Sequence, residues 1–257
     1  MSGTTHDAVS VILARSGSSR FRDKNIAYLG PKRLLEWAVS AAIGSRIVSA
    51  VYVSTDSNRY ADIAKAAGAT PIMRPPELAT ETATSEATMA HALDHLGGIG
   101  VKPKLVIMQQ ATTPLTRPET IRKAILAVQN GFDTALSVVL ADKKPWWALK
   151  MDSEGSLEPF MVLPADSPYN VEVPPSLYYP TGGVYAFKTE FFRKTNRVYG
   201  GRTCGVVTEW YEAIDIDYEH DLEFARYTLK HLLSARRKSL DPGSAGTDAD
   251  LEPPCHD

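Results

Sequence analysis

Hydrophobic positions along the chain fall into two alternating rhythms. Short apolar runs rich in β-branched residues occur at 8–13, 50–54, 104–108 and 134–140 and predict strands. Between them, residues 34–43, 61–67, 85–96 and 118–130 carry apolar side chains at a spacing near 3.6 and predict helices. Strand and helix in alternation imply βαβ units, and hence an α/β fold with a mostly parallel sheet and helices on both faces. After Leu140 the rhythm stops. Residues 145–180 bring several prolines, clustered aromatics and Gly155, which predicts a hairpin-like excursion rather than another βαβ unit. Apolar residues return at 183–187, a further strand is expected near 205–208, and a last helix sets Leu222, Ala225 and Leu229 on one face. Residues 235–257 are polar and aperiodic and are expected to be disordered, leaving one domain over 8–234.

Composition narrows the class. With 257 residues and 44% hydrophobic content the chain can bury a full α/β core. The 28 basic and 30 acidic residues nearly cancel, so a nucleic-acid partner held by bulk charge is not expected, and any anion must be bound locally. The two cysteines, Cys204 and Cys255, define no disulfide framework. No run approaches the length of a membrane span, and the opening segment has no basic flank before its apolar run, which Arg15 ends. A cytoplasmic protein without membrane attachment is the expectation.

Local anion binding has an evident candidate. The first predicted strand runs into a loop, 14–25, with Arg15, Arg20, Arg22 and Lys24 among Ser16, Gly17, Ser18 and Ser19. In a parallel sheet this loop sits at the carboxyl edge, where ligands bind. Backbone amides near Gly17, serine hydroxyls and cations together suit a polyphosphate. The second and third glycines of a dinucleotide fingerprint are missing, and so is a Walker A pattern. Near the other end, Ile214, Asp215, Ile216 and Asp217 alternate, so an extended strand there would put both carboxylates on one side. Two hard oxygen ligands facing a triphosphate suit a magnesium ion, which completes its shell with waters and phosphate oxygens. Capping of the last helix would account for Asp217 alone, but not for the pair. His91 and His95 stand four apart, yet no third ligand accompanies them, and they read as ordinary helix residues.

These segments, in this order, resemble the acylneuraminate cytidylyltransferase family. Ala14, Arg15, Gly17, Ser18, Lys24, Asn25 and Ile26 match its ARGGSKxxxxKNI signature, with Leu13, Ser16 and Ser19 replacing its proline, first glycine and first lysine. Arg74 to Ala79, Ser85 and His91 to Leu93 resemble RPxxLA, SS and HAL; Gln110 to Leu115 resembles QPTSPLR; Leu177 to Tyr185 resembles LYxPNGAIY; and 214–217 matches IDID. The resemblance implies a Rossmann-like nucleotidyltransferase fold and transfer of CMP from CTP with release of pyrophosphate. It implies that Arg15, Ser18, Lys24 and Asn25 grip the triphosphate, with Lys24 stabilising charge during transfer. It further implies that Arg74 and Ser85 read the pyrimidine, that Gln110 faces the acceptor, that Asp215 and Asp217 bind Mg2+, and that 145–180 forms a homodimer contact.

One stretch departs from the pattern. Where the family's sialic-acid synthetases carry an Arg-Arg-Gln segment, this chain has Asn170, Val171 and Glu172, which would be unfavourable beside a sialate carboxylate. The expectation is therefore a smaller anionic acceptor, a phosphonate such as phosphonoformate in a natural-product pathway. A CMP-sialic or nonulosonic acid synthetase is the alternative. From other classes, a glycosyltransferase using Asp215 and Asp217 as its metal motif is opposed by the cationic loop at 14–25, and a non-catalytic nucleotide-binding protein by the presence of Lys24 together with both aspartates.

Overall fold

The structure is a computed structural model that describes residues 7–143, 145–161 and 176–239. Its frame is a seven-stranded sheet made of β1 (Ala8–Leu13), β4 (Ala50–Thr55), β5 (Thr70–Met73), β6 (Leu105–Gln110), β7 (Thr134–Leu140), β10 (Tyr178–Lys188) and β11 (Thr203–Val207). The strand order is β11-β7-β10-β6-β1-β4-β5. All neighbours run parallel except β10, which is antiparallel to both β6 and β7. The strands β2 (Tyr28–Leu29) and β3 (Lys32–Arg33) form one small ribbon, and β8 (Leu149–Met151) and β9 (Leu157–Pro159) form the hairpin expected in the excursion.

Helices α1 (Leu34–Gly44), α2 (Asn58–Ala66) and α4 (Pro118–Gln129) bury their apolar faces on one side of the sheet. On the other side pack α3 (Ser85–Gly98) and α5 (Thr189–Thr195). A third, smaller core gathers Leu29, Leu34, Leu115, Ile214 and Ile216 under Leu222, Ala225 and Leu229 of α6 (Glu219–Ser239). This places α6 over the carboxyl edge of the sheet.

Three expectations are corrected. Residues 214–217 belong to no strand, although their burial alternates as a strand's would: Ile214 and Ile216 are buried, while Asp215 is exposed and Asp217 half-buried. Helix α6 runs on to Ser239, five residues into the segment expected to be disordered; the remainder of that segment lies outside the described residues. The sheet also has members that periodicity did not reveal. β5 is four residues long with a proline, and the antiparallel β10 begins in the proline-rich stretch.

The register brings the ligand edge into line, because Leu13 pairs with both Ser54 and Gln110. The loops after β1, β4 and β6 therefore start at one level. Into the same edge comes the irregularity of β10 between Pro180 and Tyr185, where Gly182 adopts φ +79° and Gly183 packs against a nest of hydroxyls. Ser137 Oγ and Thr181 Oγ1 lie 2.6 Å apart, and Thr116 Oγ1 donates to the Thr113 carbonyl at 2.9 Å. A Cβ on Gly183 would lie 2.7 Å from Thr116 Oγ1.

Gly183→Ala is therefore expected to destabilise the protein by about 1–3 kcal/mol through overpacking. Denaturant titration measures it, and adding Thr116→Ala should return part of the loss. Wild-type stability in the single variant would show that β10 has room to shift.

Candidate active site

The loops at the carboxyl edge enclose a cleft of about 190 Å³ lined by Arg15, Lys24, Asn25, Arg74, Ser85, Gln110, Asp215 and Asp217 among others. Eight of the eleven residues picked out from the sequence thus meet in one place. The other three, Ser16, Gly17 and Ser18, do not line it. The reason is a partner far away in sequence: Asp56, one residue beyond β4, accepts from the Ser16 amide at 2.8 Å and from its hydroxyl at 2.6 Å. The donors expected to meet a phosphate at Ser16 already hold a carboxylate, and that pins the loop to β4. Gly17 has open space around it, so the loop imposes no steric demand for glycine there.

Cations enter the cleft from three directions. Arg15 donates to the Gly17 carbonyl at 2.6 Å and stands 3.9 Å from Glu81. Lys24 opens a 3-10 turn (Lys24–Ile26) that follows Asp23 in the left-handed region at φ 57°. Its Nζ lies 2.5 Å from Asp217 Oδ1. Arg74 is buried and donates to Ser54 Oγ at 3.2 Å, the Ser54 carbonyl at 2.7 Å and the Leu78 carbonyl at 3.2 Å. Burial, with Arg15 nearby, brings its guanidinium down to about 10 against the opposing pull of Asp56. At neutral pH it stays charged. Three of its five donors are committed, so it serves the cleft wall first and has two left for a ligand.

Asn25 is buried, and its Nδ2 donates to the Arg15 carbonyl at 2.9 Å. Its Oδ1 is buried and has no hydrogen-bond partner. Ser85 begins α3 immediately after Thr84, whose hydroxyl caps the helix by accepting from the Ala87 amide at 3.1 Å. The two glutamines diverge as neighbours on a strand must: Gln109 is buried and accepts from Ser10 Oγ at 2.7 Å, whereas Gln110 lines the cleft.

The carboxylates differ in environment. Asp215 is open to the cleft, but desolvation by the walls raises its carboxyl above the usual range, with Asp217's charge adding and Thr112's hydrogen bond opposing. Asp217 is held below the usual range, first by its hydrogen bond from Lys24 and further by Arg20, which pairs with Oδ2. The capping role falls not to Asp217 but to Asp221, which accepts from the amides of Asp217 and Tyr218 at 3.0 and 2.8 Å. The segment is fixed at both ends. The Ile216 amide donates to the Thr112 carbonyl at 2.8 Å. Upstream, the fully buried Glu212 accepts from the Arg117 amide at 2.9 Å, Arg117 Nε at 3.1 Å and Thr120 Oγ1 at 2.6 Å at the start of α4.

Among the described residues no three His, Cys, Asp or Glu side chains form a metal cage. Two carboxylates, one desolvated and beside the other's charge, still fit a hard dication that takes its remaining ligands from water and phosphate. His91 and His95 contribute no such site. Sequence reasoning counted Asp56 and Thr112 within resembling motifs but gave no role to them or to Glu212, because their functions depend on partners that only the fold brings near. It also missed Tyr185, whose phenol is raised by burial and by Tyr199, Asp215 and Glu86.

Residues 9–152, more than half of the chain, match the cytidylyltransferase family model, and the chain belongs to that family of nucleotidyltransferase enzymes. It is 29% identical over 221 residues to an N-acylneuraminate cytidylyltransferase of Escherichia coli O18:K1:H7, covering 84% of this chain and 51% of that protein. Over 150 residues it is 35% identical to a CMP-N,N'-diacetyllegionaminic acid synthase of Legionella pneumophila, covering 58% of this chain and 65% of that one. The chain thus spans between half and two thirds of the length of these relatives. Among solved structures, a CMP:2-keto-3-deoxy-manno-octonic acid synthetase complexed with CTP superposes with a TM-score of 0.66 at 19% identity, covering 88% of this chain and 99% of that one. A 4-diphosphocytidyl-2C-methyl-D-erythritol synthase from Anaerococcus prevotii gives 0.59 at 14%, covering 86% and 98%. At these identities the superpositions establish the shared α/β fold. No helix of the described residues is long and apolar enough to cross a membrane.

The two carboxylates should act oppositely on stability. A raised folded value means that ionised Asp215 costs stability above the unfolded carboxyl value of about 3.9, whereas a depressed value means that ionised Asp217 contributes there. Near pH 7, Asp215→Asn is expected to raise the melting temperature and Asp217→Asn to lower it, each by about 2 °C, the scale of a partly exposed interaction. The first difference should fade once pH falls below about 3.9, and the second as pH falls through Asp217's lower folded value. Equal shifts of the same sign would contradict this electrostatic account.

Proposed function

We propose that the chain transfers CMP from CTP to an acidic sugar of the nonulosonic class, releasing pyrophosphate. The observation that carries this reading is the convergence of Lys24, Arg15, Arg74, Asn25 and Gln110 with Asp215 and Asp217 in one cleft at the ligand edge of the sheet. In the proposed reaction an acceptor oxygen forms a bond to the α-phosphorus of CTP. The bond from that phosphorus to the bridging oxygen breaks, pyrophosphate leaves with the electron pair, and the proton of the acceptor hydroxyl passes to solvent. Lys24 and Arg15, both lining the cleft, would offset negative charge developing on the phosphates, and preorganised cations of this kind act on the transition state more than on the ground state. Mg2+, held by Asp215 and Asp217, would offset charge on the transferring and leaving phosphates. Arg74's two remaining donors, with Ser85 on the same cleft, form the polar wall assigned to the cytosine and ribose.

The acceptor class rests on the named substrates of the sequence relatives, both nonulosonic acids. The phosphonate reading rested on Asn170, Val171 and Glu172, which lie outside the described residues, and neither of those relatives is named for a phosphonate. A homodimer is the proposed assembly. The hairpin of β8 and β9 exposes Leu149, Met151 and Leu157, each more than half open to solvent, with Phe160 beside them, an apolar surface suited to a second copy.

The test is pyrophosphate release with CTP and Mg2+ across an acceptor panel. Release with N-acetylneuraminate or a legionaminic acid supports the reading. Release with phosphonoformate alone would overturn the acceptor class while leaving cytidylyl transfer intact, and release with UTP equal to that with CTP would remove the base assignment. Lys24→Ala should lower turnover by roughly two orders of magnitude while CTP affinity changes less, as for loss of one preorganised charge stabiliser. A variant with intact turnover and lost affinity would make Lys24 a ground-state anchor.

A further inference from the structure

Asp217 offers two carboxylate oxygens to the cleft, and each is taken by a cation of the protein. Lys24 Nζ holds Oδ1 at 2.5 Å, and the guanidinium of Arg20 holds Oδ2. The two cations differ in how firmly they are placed. Lys24 is only 14% exposed and rises from a 3-10 turn, whereas Arg20 is 56% exposed. Arg20 also lies in the part of the loop between its two anchors, the Ser16 contact to Asp56 and the Asn25 contact to the Arg15 carbonyl. While paired with Asp217, its guanidinium is also 5.8 Å from the centroid of the Tyr218 ring. An exposed ion pair on a long side chain is worth little and is easily exchanged.

We propose that Arg20 is a positioning residue that guards Asp217. In the empty cleft it holds Oδ2 while Lys24 holds Oδ1, leaving Asp217 no free oxygen for a divalent cation, and when metal and nucleotide enter together it swings from the carboxylate to the triphosphate. The inference rests on the metal assignment made above and goes beyond it, because it makes binding of metal and of nucleotide interdependent through one side chain. Electrostatics give the direction of exchange. A dication at Asp217 repels the guanidinium, and the triphosphate supplies a larger anionic charge within reach of the same loop. Without nucleotide, Arg20 and the metal compete for one oxygen. With nucleotide, they no longer do.

The experiment is titration of Mn2+ into the nucleotide-free protein, followed by the electron paramagnetic resonance signal of free Mn2+, for wild type, Arg20→Met, Arg20→Lys and Asp217→Asn. Arg20→Met is expected to bind Mn2+ about two- to fivefold more tightly than wild type, the scale of one exposed ion pair. Arg20→Lys, which keeps a competing cation, should stay within about twofold of wild type on the same scale. In the presence of Mg2+, Arg20→Met should bind CTP about tenfold more weakly, as for loss of a charge-assisted hydrogen bond. A merely structural arginine would leave Mn2+ affinity unchanged or lower it, and either result overturns the proposal. If Asp217→Asn abolishes Mn2+ binding while Arg20→Met leaves it unaltered, only the guard role fails. If Asp217→Asn binds Mn2+ as wild type does, the metal assignment and the guard role fail together.

Discussion

The direction in which Asp215 and Asp217 point is decided by the two isoleucines that alternate with them. Ile214 and Ile216 are buried in the small core beneath α6, with Leu222, Ala225 and Leu229 above and Leu29 and Leu34 beside them. Burying each isoleucine is worth about 1.5–3 kcal/mol, whereas a part-exposed ion pair such as that of Asp217 contributes about 1 kcal/mol or less. Packing therefore wins and the ion pairs follow. With successive side chains pointing to opposite sides, both carboxylates are delivered to the cleft whatever cation meets them there. No sheet hydrogen bonding is needed for this alternation; the backbone contact from Ile216 to Thr112 and the buried Glu212 at the start of α4 hold the extended segment in its place.

The opposite wall follows a similar logic with polar anchors. Asp56 takes both donors of Ser16, and Arg74 spends three donors on Ser54 and Leu78. These ties fix the loop and the wall before any ligand arrives, which lowers the ordering cost at binding. What stays uncommitted on the cleft side is two donors of Arg74, while Gln110 and Asp215, which also line the cleft, each take a hydrogen bond from Thr112. The site thus divides its polar groups into those that build it and those left free to act.

Much of this was legible in the sequence, for reasons particular residues show. The strands at 8–13 and 134–140 were readable because a buried parallel strand is a short unbroken apolar run. The alternation at 214–217 gave the sidedness of the carboxylates, though not the absence of a strand. What remained hidden was set by distant partners. Nothing near Ser16 announces that Asp56, 40 residues away, will occupy its amide and hydroxyl. Nothing near Glu212 announces Thr120, 92 residues away. β10 escaped notice because its first half contains Pro180, Gly182 and Gly183, residues that lower strand propensity and here make the irregularity that reaches the cleft.

In the proposed enzyme one cleft joins a metal held by the carboxylate pair to a nucleotide held by the cationic loop. The most direct measurement is calorimetric titration of CTP with and without Mg2+ into wild type and Asp215→Asn. If the two sites are joined, Mg2+ tightens CTP binding in wild type, and most of that gain disappears in the variant. The same gain in both proteins would contradict it, because the metal would then ride on the nucleotide without touching the pair.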